Sequence, residues 1–190
     1  MVLEDVGVVR ERENRLLDPN EMTAFNEAVL PHLDAAYNLA RWLSRNDQDA
    51  EDVVQEASLR AFKYWKGFSG KDCRSWLLAI VRNTYYSWLQ KRSVQPELTE
   101  NGEVDDIDDG IPSPETLLLQ NADREMLKSA LEDLPVEFRE AIVLREMEGL
   151  SYKEIADISG IPIGTVMSRL TRARKRLQIY LTNSPIRKPL

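Results

Sequence analysis

The chain has 190 residues, 43% of them hydrophobic, which suffices for one large or two small cores and excludes a wholly disordered protein. A lone cysteine (Cys73) and a lone histidine (His32) exclude an internal disulfide framework or a Cys/His zinc site, and no apolar run reaches the roughly 18 residues of a membrane helix. The formal net charge of −7 would speak against nucleic acid if it were evenly spread, but 1–56 carry 5 basic and 13 acidic residues, 57–92 carry 8 and 1, 93–136 carry 2 and 12, and 137–190 carry 10 and 6.

Residues 1–20 form an N-terminal extension without an assigned role. Its Glu4, Asp5, Glu11 and Glu13 stand where a signal peptide would be apolar, so the expected compartment is the cytoplasm. From Met22 to Arg92 apolar residues recur at helical spacing, as in Phe25, Val29, Leu33, Ala36 and Ala40, or Val53, Ala57, Ala61 and Trp65. Alternating strand patterns are absent. The spacing predicts helices over about 21–45, 48–66 and 73–91, the third preceded by the Gly67-Phe68-Ser69-Gly70 break, together one helical domain spanning 21–92.

Within it, Lys63, Lys66, Lys71, Arg74, Arg82, Lys91 and Arg92 are interleaved with Tyr64, Trp65, Phe68, Trp76, Tyr85, Tyr86 and Trp88. Such mixtures suit single-stranded nucleic acid, where cations follow phosphates and rings stack on bases. Trp76, Ile80, Thr84 and Trp88 share one helical face, which assigns those two tryptophans to the core and leaves Arg82, Asn83 and Tyr86 for contact. The loop Phe68 to Arg74 could hold an extruded base.

Residues 93–116 hold eight acidic residues, no basic one, and Pro96, Gly102, Gly110, Pro112 and Pro114; they read as a flexible acidic linker. Helical periodicity returns at Leu117, Leu127, Ala130, Leu131 and Leu134 and continues through a second domain over 117–182, with a tail at 183–190. Its most specific signal is SYKEIADISGIPIGTVMSRLTRARKRL, Ser151 to Leu177. Ser151 and Glu154 form a capping box, Gly160 permits the positive φ of a tight turn, and Pro162 can open the next helix. Val166, Leu170, Ala173 and Leu177 then form a buried stripe, and the opposite face carries Thr165, Ser168, Arg169, Arg172, Arg174, Lys175 and Arg176. Two helices around a glycine turn, the second one basic, match the arrangement that lays a recognition helix in the major groove. A two-domain regulator of duplex DNA would satisfy this motif too, although the aromatic-basic first domain has no purpose in that scheme. An enzyme would need a Gly-rich phosphate loop, a Ser/His/Asp set or a metal-ligand cluster, and the sequence offers none.

Taken together, DAEDVVQEASLRAFKYW, FSGKDCRSWLLAIVRNTYYSWLQKR and LPVEFREAIVLREMEGLSYKEIADISGIPIGTVMSRLTRARKRL resemble the extracytoplasmic-function sigma factors, the compact branch of the sigma-70 family. The likeness covers roughly 22–181. It implies an all-α fold of two small domains and a subunit that directs promoter recognition, promoter melting and transcription initiation by core RNA polymerase, without a catalytic site or cofactor of its own. It implies that Asp49, Glu51, Asp52, Gln55 and Glu56 dock on the clamp helices of the polymerase. Lys66, Phe68, Ser69, Lys71, Arg74, Arg82, Asn83 and Tyr86 are implied to capture the melted non-template strand of the minus-ten element. The seven residues of the recognition helix are implied to contact the minus-thirty-five duplex. The linker is implied to run through the RNA exit path, with a plain tether as the other reading. An anti-sigma factor is an expected partner. One departure is Met167, where many relatives carry a basic residue, so Arg169 and Arg172 bear more of the contact.

Overall fold

The structure is a computed structural model that describes residues 18–70, 72–94 and 124–183. The N-terminal extension to residue 17, the linker from residue 95, residues 117–123 and the tail from 184 lie outside the described residues, as does Lys71. All regular elements among the described residues are helical, in line with the all-α expectation.

Asp18 opens α1 (Pro19–Val29) with a capping box: its carboxylate accepts from the Glu21 amide while Glu21 reaches back to the Asp18 amide. The sequence spacing predicted one helix over about 21–45. Instead the chain makes a 3-10 turn at Leu30–His32 before α2 (Leu33–Ser44), because Pro31 has no amide to donate and its ring crowds the preceding turn. Arg45 ends α2 in the left-handed region at φ 59, and Asn46 caps α3 (Asp47–Tyr64) by accepting from the Asp49 amide. Asp72 donates no side chain to the core; its carboxylate accepts from the Ser75 amide at the start of α4 (Cys73–Val94).

The first bundle packs α2, α3 and α4 closely because the inner stripe of α3 is small: Ala50, Val53, Ala57 and Ala61 are all but inaccessible and let Leu39, Leu43, Leu77, Leu78 and Val81 interlock above them. One end is closed by rings. Phe25 meets Phe62 and Trp65 edge-on at 5.4 Å, and Phe68 stacks on Trp65 at 5.5 Å and leans on Trp76 at 4.6 Å. A Cβ at Gly70 would fall 2.9 Å from the Phe68 ring, so a larger residue there would require that ring to shift. Trp76 and Trp88 both pack against the core, as their shared helical face predicts.

The second domain begins with α5, described over residues 124–132, followed by α6 (Val136–Ile142). A π-turn over Val143–Met147 ends α6, with the Glu148 amide donating to the Val143 carbonyl at 3.0 Å, and Gly149 at φ 68 turns the chain away. Then come α7 (Tyr152–Ser159) and α8 (Ile163–Asn183). Ser151 and Glu154 make the expected capping box, and Gly160 sits at φ 65. Pro162 lies just before α8, its carbonyl accepting from the amides of Thr165 and Val166. Val166, Leu170 and Ala173 are buried against α6 and α7, and Leu177 is half-buried.

The two domains are packed against each other, α2 and α4 of the first facing α6 and α7 of the second, and their buried apolar side chains merge into one contiguous cluster.

The Ser151 hydrogen bonds hold the Glu154 carboxyl below its ordinary value of 4.5. A depressed carboxylate contributes stability above its unfolded value and loses it as pH falls below. Glu154→Gln is therefore expected to cost about 0.5 kcal/mol at pH 7, and the gap to the parent protein to narrow as pH falls below 4.5, measured by urea denaturation on either side of that value.

Candidate nucleic-acid interface

On α8 the sequence-predicted contact face is presented outward from a rigid support. Ser168, Arg172, Arg174, Lys175 and Arg176 are exposed, and Thr165 and Arg169 are half-buried at the edge of the stripe. Arg174 is committed to Glu146 at 2.6 Å, a bond that raises its already high basicity, and Arg176 lies 5.3 Å over the Phe138 ring. The remaining outward groups, Ser168, Arg169, Arg172 and Lys175, follow one another at helical spacing along a helix without an acidic residue. Exposed apolar groups join them at the helix start: Ile163 and Met167 are 45% and 51% exposed. Apolar atoms on a groove-entering face fit thymine methyls.

In the first domain, the predicted polymerase-contact residues Glu51, Asp52, Gln55 and Glu56 are exposed on α3. Asp49 differs. Its two carboxylate oxygens both accept from Arg92 at 3.0 Å, tying the start of α3 to the end of α4, and the Arg92 guanidinium also covers the Trp88 ring.

The predicted strand-contact residues separate into three groups. Ser69 and Asn83 are exposed, and Lys66 pairs at the surface with Glu21 at 3.2 Å. Phe68 belongs to the ring cluster. Arg74, Arg82 and Tyr86 are engaged by the second domain. Arg82 Nε donates to Glu140 Oε1, and the Tyr86 hydroxyl donates to Glu140 Oε2 at 2.7 Å. The Arg82 guanidinium stacks 4.6 Å over the Tyr86 ring. Burial, reinforced by the Glu140 charge, pushes the Tyr86 phenol far above its ordinary value, so it remains a donor. Arg74 Nη1 donates to the Glu148 carbonyl at 2.8 Å and Nη2 to its carboxylate at 2.5 Å, where Asn38 also donates at 2.6 Å.

Four residues that sequence reasoning passed over organise this surface. Glu140 is 1% exposed and Glu148 8%, so each is a carboxylate buried between domains. Glu140 also accepts from Ser159 on α7 at 2.9 Å. Arg139, itself buried, donates to the Glu132 carbonyl at 2.7 Å and the Leu43 carbonyl at 3.5 Å, and Arg45 donates to the same Glu132 carbonyl at 3.0 Å. Guanidiniums thus sit at the C-terminal ends of α2 and α5, where helix dipoles favour positive charge. Cys73 is pushed up by burial, with Asp72 adding to the effect, which keeps it a thiol.

No group of three or more His, Cys, Asp or Glu side chains among the described residues could hold a metal ion, and no helix among them is long and apolar enough to cross a membrane.

Comparison with known proteins gives a consistent result. Residues 28–94 match the family described as Sigma-70 region 2, and residues 124–177 match Sigma-70, region 4. The chain is 36% identical over 169 residues to the ECF RNA polymerase sigma factor SigE of Mycolicibacterium smegmatis, covering 86% of this chain and 64% of that protein. It is 37% identical over 167 residues to the ECF RNA polymerase sigma-E factor of Escherichia coli, covering 83% and 86%. Among solved structures it resembles the sigma factor RpoE in complex with the anti-sigma factor NepR from Bartonella quintana, with TM-score 0.71, 32% identity, and 85% and 98% of the two chains covered. It also resembles CnrH in complex with the cytosolic domain of CnrY, with TM-score 0.60, 25% identity, and 86% and 91% covered.

Proposed function

The chain belongs to the extracytoplasmic-function branch of the sigma-70 family of RNA polymerase specificity subunits, and from that premise we propose how its residues divide promoter recognition between two domains. The second domain reads the minus-thirty-five duplex. Thr165, Ser168, Arg169 and Arg172, nearest the start of α8, reach base edges, while Arg174, Lys175 and Arg176 stay with the phosphates. The observation that carries this is the outward row Ser168, Arg169, Arg172 and Lys175 on a helix whose opposite face is locked by Val166, Leu170 and Ala173.

The first domain works on the melted strand. Arg74, Arg82 and Tyr86, with Lys66, Phe68, Ser69, Lys71 and Asn83, supply cations, amide or hydroxyl groups and rings for the non-template strand of the minus-ten element. No nucleotide is hydrolysed: melting follows from binding the single strand better than the duplex. The protein therefore acts as a specificity subunit and performs no catalytic chemistry itself. The exposed acidic row Glu51, Asp52, Gln55 and Glu56 on α3 docks on a basic coiled coil of core polymerase, with Asp49 holding α3 to α4 beneath it. An anti-sigma protein is a further partner, supported by the resemblance to a sigma factor solved with one.

Run-off transcription with sigma-free core polymerase on a library of promoter fragments tests the whole reading. Defined start sites are expected only when the protein is added; duplex binding without initiation would replace it with a regulator that never joins polymerase. On a duplex minus-thirty-five fragment, Arg169→Ala and Arg172→Ala are each expected to cost about 1–3 kcal/mol and to relax base preference, Lys175→Ala to reduce the slope of log affinity against log salt by about one, and Lys128→Ala on α5 to leave both unchanged. Reversing Glu51 and Asp52 to lysine is expected to weaken binding to core polymerase at least about tenfold, read by competition with the parent protein, without altering duplex affinity.

A further inference from the structure

Three of the eight residues assigned to the melted strand are met by carboxylates of this chain's second domain. Glu140 takes Arg82 and the Tyr86 hydroxyl, and Glu148 takes Arg74. A carboxylate and a phosphate are recognised alike, as planar or tetrahedral sets of anionic oxygens that accept from guanidinium forks and hydroxyls. The side chains cannot serve both at once. Tyr86 is packed under Arg82 and half-buried, and the Arg82 side chain is only 16% exposed, so an incoming strand finds the pair already occupied.

We propose that the second domain is an intramolecular competitor for the single strand: in the closed chain Glu140 and Glu148 occupy Arg82, Tyr86 and Arg74 as promoter phosphates do in the open one. This rests on the assignment of those three residues to strand contact. Glu148 is the cleaner half of the device, because its carboxylate accepts from Asn38 and Arg74, both in the first domain. Glu140 is shared with Ser159 of its own domain. Apparent affinity of a site available only in the open form falls by the open fraction, so opening the chain must show as tighter binding. Separation of α2 and α4 from α6 and α7 is thus a step that precedes strand capture.

The test uses the full chain, with Glu148→Lys to repel Arg74 and Glu148→Gln as the volume-conserving partner. Small-angle scattering reads compactness, and fluorescence anisotropy with a labelled single-stranded DNA of mixed sequence reads affinity. Glu148→Lys is expected to enlarge the radius of gyration and to bind the oligonucleotide about tenfold more tightly, the gain disappearing when Arg82→Ala is added. Should Glu148→Lys lose helical circular dichroism, Glu148→Gln carries the same measurement with a smaller expected gain. A variant as compact as the parent overturns the proposal. So does an expanded variant with unchanged affinity that Arg82→Ala still weakens, and in that case strand contact by the first domain stands. An expanded variant whose affinity ignores Arg82→Ala removes the strand assignment itself, and the competitor with it.

Discussion

A carboxylate enclosed by protein must be met by donors, and Glu140 is the point where that requirement shapes the molecule. Its two oxygens receive Arg82, Tyr86 and Ser159, drawn from α4 of one domain and α7 of the other. Removing one partner from a buried pair leaves an uncompensated charge that costs about 3–5 kcal/mol. The arrangement around it follows: α4 must lie along α7 with Arg82 and Tyr86 within reach of Glu140 on α6, the Tyr86 ring must be stacked beneath the Arg82 guanidinium, and Ser159 must end α7 close to the interface. Apolar burial supplies most of the attraction between the domains, but it has no direction. The carboxylates at Glu140 and Glu148 supply register.

The charge blocks of the sequence take on a different sense in the folded chain. Alternating acidic and basic segments suggest separate faces for separate partners, and on α3 and α8 that is how they lie: Glu51, Asp52 and Glu56 face out on one, Arg169, Arg172 and Lys175 run along the outer side of the other. Between the domains the blocks meet each other instead. Arg74 and Arg82 from the basic segment are answered by Glu148 and Glu140 from the last one, and within the first domain Arg92 is answered by Asp49 from the first segment. Net charge by segment carries no information about such pairing, because the partners are 74, 58 and 43 residues apart.

Legibility in the sequence followed the range of the interactions. The capping box at Ser151 and Glu154, the left-handed Gly160 and the buried stripe Val166, Leu170 and Ala173 depend on neighbours a few residues away, and the structure has them where the spacing predicts. The break at Pro31 was local as well; helical periodicity on both sides of it masked a proline that cannot donate. Glu140 and Glu148 depend on contacts with another domain. A signal for Glu140 did exist, since it is a charged residue inside the run Phe138 to Leu144 that is otherwise apolar apart from Arg139. A charge in the inner stripe of a helix needs a buried partner, yet one sequence cannot say which of many arginines that partner is.

The two kinds of acceptor at the domain interface also differ in what they demand of sequence variation. Arg139 and Arg45 donate to backbone carbonyls of Leu43 and Glu132, which any amino acid at those positions would provide. Substitutions at 43 or 132 leave those hydrogen bonds chemically intact, so the bonds themselves constrain only the arginines, and Leu43 is held by its burial in the core instead. Arg82 with Glu140 and Arg74 with Glu148 join side chain to side chain, and a change at either member strands the other. The interface therefore has one half whose acceptors do not depend on side-chain identity and another in which positions 82 and 140, or 74 and 148, can change only together.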